Sequence, residues 1–111
     1  MNWKYLESPE ELDHIVAASH NSPQVIFKHS TRCNISAMAK SRLERAQKPD
    51  EITFYYLDLL SFRPISNKIA EIFHVEHESP QVLVIKDGKC IYSESHSGIQ
   101  MDEILEHTVL N

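Results

Sequence analysis

Apolar residues along this chain switch between two spacings, and the switches mark out the elements. Leu12, Ile15 and Val16 recur at the three- and four-residue intervals that place side chains on one face of a helix. Ser8-Pro9-Glu10-Glu11 supplies its start, with a serine N-cap, a proline in the first turn and a glutamate three residues after the cap. Asn21-Ser22-Pro23 ends it. Gln24-Val25-Ile26-Phe27-Lys28 is then apolar and β-branched, as a central strand buried on both faces should be. From Asn34 to Gln47 the composition turns helical, with Ala37, Met38, Leu43 and Ala46 among Lys and Arg, and Pro49 stops it. Ile52 to Leu59 is the longest β-prone run, and after Pro64 the helical period returns at Ile65, Ile69, Ile72 and Phe73. Pro80 to Lys86 and Cys90 to Ser93 are joined by Asp87-Gly88, the dipeptide of a tight hairpin turn, and Met101, Ile104, Leu105 and Thr108 form a closing amphipathic helix.

This order predicts an α/β fold: a single mixed β-sheet, with parallel strands joined by helical crossovers plus a C-terminal antiparallel hairpin, flanked by helices. At 111 residues, 41% hydrophobic and 24% charged, the chain is expected to form one domain over 1–111, whose core needs no disulfide or metal. Sixteen acidic residues against 11 basic ones, net charge -5, argue against a nucleic-acid partner. No segment approaches the roughly 18 apolar residues of a membrane span, and the first residues lack the pattern of a secretory signal. The expected location is therefore the cytoplasm, where two cysteines are thiols rather than a structural disulfide.

Cys33 falls between the first long strand and a helix, in Ser30-Thr31-Arg32-Cys33-Asn34-Ile35-Ser36. Helix N-termini offer unpaired N–H groups and a partial positive charge, and Arg32 adds a full one. Both favour a thiolate, so the position suits a nucleophile better than a buried hydrophobe. Ser36 stands where a dithiol motif has its second Cys. A hydroxyl cannot resolve a mixed disulfide, but it can hydrogen-bond a thiolate one turn away. Cys90 opens the second hairpin strand, about 20 Å from the end where Cys33 should lie. A disulfide needs Cα atoms within about 7 Å, so Cys90 is expected to pack or to be oxidised separately.

The strand, the Cys33-x-x-Ser36 helix start, the Ser79-Pro80 step, the Asp87-Gly88 hairpin and Gly98 before the last helix together resemble a thioredoxin-like fold across nearly the whole chain. Lys28-His29-Ser30-Thr31-Arg32-Cys33-Asn34-Ile35-Ser36 resembles most the monothiol bacilliredoxins of the YtxJ type, whose motif is usually Cys-Pro-Ile-Ser. Asn34 replaces that Pro, leaving a free N–H and a more flexible first turn. Phe27 stands where thioredoxin reductants usually carry a buried acid. The resemblance implies a cis Ser79–Pro80 bond facing Cys33, with the backbone before Pro80 open to substrate.

It further implies a thiol–disulfide oxidoreductase acting on proteins whose Cys is capped by bacillithiol, a small anionic thiol that serves as co-substrate, with no tightly bound cofactor and a monomeric state. Cys33 and Ser36 would be catalytic. Arg32, Asn34, Ser79, Pro80 and Lys28 would bind substrate, Arg32 and Lys28 by attracting carboxylates. His29 would either tune Cys33 or touch substrate. Seven His raise the question of metal, but His74-x-x-His77 completes no ligand set and should instead meet the dipole at the end of the third helix. Two other classes stay open: a glutaredoxin-like iron–sulfur carrier, whose usual Cys-Gly-Phe-Ser is absent, and a redox-inactive interaction module of the same fold.

Overall fold

A computed structural model describes residues 1–109. Five strands form one mixed sheet in the order β1-β3-β2-β4-β5: β1 (Lys4–Tyr5), β2 (Gln24–His29), β3 (Thr53–Asp58), β4 (Gln81–Lys86) and β5 (Lys89–Ser95). β1 and β2 run parallel to β3, and β4 runs antiparallel to both β2 and β5. Helices α1 (Pro9–Ala18), α2 (Asn34–Arg45), α3 (Arg63–Phe73) and α4 (Met101–Thr108) flank it, and a 3-10 turn at His96–Gly98 links β5 to α4. β1 escapes the sequence pattern because it has only two residues, both exposed, and takes its strand geometry from the edge of β3.

The two-residue period of the strands divides the core. Val25 and Phe27 of β2, with Val82 and Val84 of β4, face Ala39 and Leu43 of α2 and Ile104 of α4. Ile26, Leu83 and Ile85 face Leu12 and Ile15 of α1 and Ile65, Ile69 and Phe73 of α3. All six residues of β2 are buried, the apolar Val25, Ile26 and Phe27 as expected and with them the polar Gln24, Lys28 and His29. Local signals hold as well: Ser8 Oγ accepts from Glu11 N–H at 3.3 Å, while the Glu11 carboxylate turns to Glu7 N–H and the Ser8 hydroxyl. Asp87 and Gly88 both have positive φ, 53° and 75°, in the hairpin turn.

One irregularity changes how β5 reads. Val84 pairs with Tyr92 but Ile85 pairs with Cys90, so Ile91 is an extra residue, a β-bulge. Plain alternation would put Cys90 and Tyr92 on the same face. The bulge separates them: Cys90 packs with the α1/α3 cluster and Tyr92 with the α2/α4 cluster.

Candidate active site

The last two residues of β2 go to opposite faces. His29 follows Phe27 toward α2, and Lys28 follows Ile26 toward α3. The chain then turns through Ser30–Cys33, closed by Cys33 N–H donating to Ser30 O at 3.2 Å, and enters α2. Cys33 is the N-cap, extended at φ -113° and ψ 121°, and its carbonyl accepts the helical bond from Ala37 N–H at 3.0 Å. The thiol is half-buried, with Arg32 and Asn34 exposed on either side. α1 and α4 carry acids in their first turns, Glu10 and Glu11 in one and Asp102 and Glu103 in the other, but α2 carries none. The partial positive end of α2 therefore has no carboxylate of its own, and Cys33 is the residue that stands at it.

Ser36 departs from expectation. α2 packs Ser36, Ala39 and Leu43 against the sheet, so the Ser36 hydroxyl points into the protein. It accepts from Ser30 N–H at 3.0 Å and shares a 2.6 Å hydrogen bond with His29 Nδ1. Among the described residues these are its two partners, and the expected bond to the Cys33 sulfur is not among them. Ser36 fastens the end of β2 to the first turn of α2, so it braces the turn that carries Cys33. His29 is 5% exposed, stacked on Phe27 and tilted against Tyr56, at ring distances of 5.8 and 5.5 Å. It stands behind the cysteine turn rather than on its outer surface. Burial, and next the Lys40 ammonium, hold its pKa below the usual histidine value.

Lys28 is a correction. A side chain that is 0% exposed offers no surface cation to a carboxylate. The strand period sends it under α3, where Nζ donates to Ser66 O at 3.2 Å and lies 3.3 Å from His77 Nδ1. Burial pushes its pKa down to about 8. His77 is also displaced from its expected place. Helix α3 ends at Phe73 with His74 as a left-handed C-cap, and His77 lies beyond it, packed on Lys28 rather than on the helix dipole. Its pairing with Lys28 is invisible in the sequence. The available signal is a lysine closing a strand buried on both faces, which demands polar partners without naming them.

Register places the second half of the site. Lys28 pairs with Gln81, so Pro80 stands beside His29 at the end of the sheet where the Cys33 turn emerges. The Ser79–Pro80 peptide is cis, Pro80 is buried, and its carbonyl accepts from His96 N–H at 3.0 Å. Cys90 lies at the opposite end of β4, against Ile85, and on the opposite face of the sheet from α2. Its thiol donates to Tyr92 O at 3.3 Å, and burial pushes its pKa up. A cavity of about 350 Å³ lined by Pro23, Pro49, Ile52 and Leu105 is at the starts of β2 and β3, far from this chemistry. Among the described residues no group of three or more His, Cys, Asp or Glu could hold a metal ion. No helix there is long and apolar enough to cross a membrane.

A cysteine at a helix N-cap, at the same end of the sheet as a cis X-Pro step that leads into an antiparallel strand, is the arrangement of the thioredoxin class of oxidoreductases. The fold agrees with solved structures of that class. A thioredoxin-fold protein described as an oxidoreductase shares 27% identity, with 94% of this chain and 90% of that one covered at a TM-score of 0.80. Thioredoxin from Malassezia sympodialis, at 17% identity, covers 97% of this chain and 92% of its own with a TM-score of 0.79. For Fasciola hepatica thioredoxin the values are 19%, 94%, 98% and 0.72. Within the class, residues 4–104 match the family described as monothiol bacilliredoxin BrxC, and the chain belongs to that family.

Proposed function

We propose that this thiol oxidoreductase removes bacillithiol from proteins whose cysteines it caps, with Cys33 as the only sulfur of the chain that enters the reaction. The observation that carries the reading is the separation of the two thiols: Cys33 caps α2 at one end of the sheet, and Cys90 is half-buried at the other end on the other face. A dithiol route would need them within bonding reach. In the first step Cys33 thiolate attacks the bacillithiol sulfur of the mixed disulfide. One S–S bond forms as another breaks, and the client cysteine leaves as thiolate. In the second step a bacillithiol thiolate attacks that same sulfur on Cys33, giving symmetric bacillithiol disulfide and returning Cys33 as thiolate. Each step exchanges one disulfide for another, and free bacillithiol is the reductant. Arg32, Asn34 at the helix start and the Ser79–Pro80 backbone are the groups proposed to hold the anionic co-substrate. Client proteins and bacillithiol are the partners this reading requires.

The test is mass spectrometry of a bacillithiol-capped client incubated with bacillithiol and each variant. Cys33→Ser should abolish uncapping and Cys90→Ser should retain most of it. In wild type, the trapped intermediate should carry bacillithiol on Cys33. An intramolecular Cys33–Cys90 disulfide, or loss of activity in a folded Cys90→Ser protein, would overturn the monothiol assignment.

A further inference from the structure

Residues 74–80 join the end of α3 to the start of β4, and the cis Ser79–Pro80 peptide closes that segment. Near α3, Val75 N–H donates to Ala70 O at 3.2 Å, and Gln81 Nε2 donates to Glu76 O at 3.0 Å. On the outside, His96 Nε2 meets Glu78 Oε2 at 3.5 Å with both side chains about half exposed, and His96 N–H reaches Pro80 O at 3.0 Å. From within, the hold is His77, whose Nδ1 lies 3.3 Å from Lys28 Nζ and 3.4 Å from Ser66 Oγ. An ammonium only donates, so against charged Lys28 the Nδ1 atom is bare and the neutral ring carries its proton on Nε2. Enclosing that ammonium with no carboxylate among its partners costs stability. What the charge supplies is two directed bonds, one to Ser66 O in α3 and one to His77.

We propose that His77, gripped by the enclosed Lys28 ammonium, is a positioning residue for the Ser79–Pro80 backbone, and that the grip opens when its imidazole takes up a proton. An imidazolium would turn Nδ1–H toward an ammonium 3.3 Å away, two donors and two positive charges with no acceptor between them. His77 stands two residues before Ser79, so its release takes away the inner anchor of the backbone that leads into the cis peptide. The outer contacts to His96 remain, and Pro80 loosens at the Cys33 end of the sheet without the fold coming apart. The inference rests on the reading that the Ser79–Pro80 backbone holds substrate.

The charges around the ring set the sense of the response. Burial, then Lys28 of β2 and Arg63 of α3, hold the His77 pKa below the usual histidine value, and Glu78 of its own segment opposes them. A ring that binds its proton more tightly once released favours release in acid, so the grip weakens as pH falls below the 6.5 of a free histidine. Lys28 keeps its charge through that range, since burial lowers its pKa only to about 8.

The test compares the whole wild-type protein with His77→Asn, whose amide oxygen can accept from Lys28 but cannot titrate, and with Lys28→Met, which removes the donor. At about pH 7.5, KM for a bacillithiol-capped client should be within about twofold of wild type in His77→Asn and about fivefold higher in Lys28→Met, the effect of one hydrogen bond, with kcat little changed. At about pH 5.5 the wild-type KM should stand about fivefold above that of His77→Asn measured alongside it. Every other titrating group is common to those two proteins, so their ratio isolates His77. A Lys28→Met protein with wild-type KM, or a wild-type to His77→Asn ratio that is the same at both pH values, overturns the proposal. NMR of the 15N-labelled protein gives a readout without substrate. The His77 ring proton should be on Nε2 at about pH 7.5, and the Glu78 and Ser79 amides should shift as that ring charges in wild type but not in His77→Asn. A ring proton on Nδ1, or amides that stay in place while the ring charges, overturns it equally. If Lys28→Met does not fold, His77→Asn and the NMR titration decide the matter. Failure of the wild type to uncap the client at either pH refutes the substrate reading, while the NMR arm still judges the grip.

Discussion

At the scale of single residues, Lys28 and His29 show how one step along a strand changes a side chain's role. His29 holds Ser36 in the first turn of α2, whereas Lys28 is an ammonium enclosed under α3, with a carbonyl and an imidazole as its partners and no carboxylate among the bonds it makes. Its pKa falls from 10.5 to about 8 on folding. The unfolded chain therefore binds more protons than the folded one between those values, and stability should rise with pH across that window as the buried charge is discharged. At neutral pH enclosing the charge costs about 3 kcal/mol, because each tenfold loss of proton affinity is worth roughly 1.4 kcal/mol. Lys28→Met keeps the volume and removes the charge, so it should hold or raise stability at pH 7 and abolish the rise between pH 8 and 10.5 relative to wild type. Denaturant titrations at both ends of the window check this, and a wild-type rise that persists in Lys28→Met would refute it. Neither partner is legible in the sequence, because the pairing of residue 28 with residues 66 and 77 exists only once β2 is set against α3.

Among the elements, those with strong local signals are legible in the sequence. The Ser8 cap, the buried β2 run, the start of α2 at Asn34 and the Asp87-Gly88 turn each depend on neighbours a few residues away. Two features escape it: β1, which exists because the distant β3 offers an edge, and the Ile91 bulge, where the hairpin departs from plain alternation. The hairpin turn is also tied to α1, since Ser19 O accepts from Asp87 N–H and Ser19 Oγ from Gly88 N–H, both at 2.9 Å. A Cβ on Gly88 would meet its nearest neighbour at an ordinary 3.7 Å, so only the φ of 75° resists substitution. Gly88→Ala should therefore cost about 1 kcal/mol of stability. Thiol transfer should be unchanged, because the turn and Cys33 are at opposite ends of the sheet. A melting curve and the uncapping assay together check it, and a large loss of activity without loss of stability would refute it.

For the molecule as a whole, what the residues announce is a cysteine at a helix start. What they cannot announce is which polar neighbours turn inward, so neither the Ser36 bond to His29 nor the enclosure of Lys28 can be read from spacing. The plan of the sheet also leaves β5 as an outer strand, paired with β4 on one side and with no strand on the other among the described residues, and Ile91 exposed at 48%. A straight apolar edge is a template on which another copy of the same chain can add strands, and a bulge that twists the strand spoils the template. Deleting Ile91 would leave Val84 opposite Tyr92 and Ile85 opposite Cys90, with the internal packing of both faces intact. The deletion should therefore fold and transfer thiols, yet scatter more light than the parent as it is concentrated. A variant as clear as the parent would show that Ile91 does nothing for solubility. On this account the residue that interrupts the ladder denies a second copy a regular edge to build on.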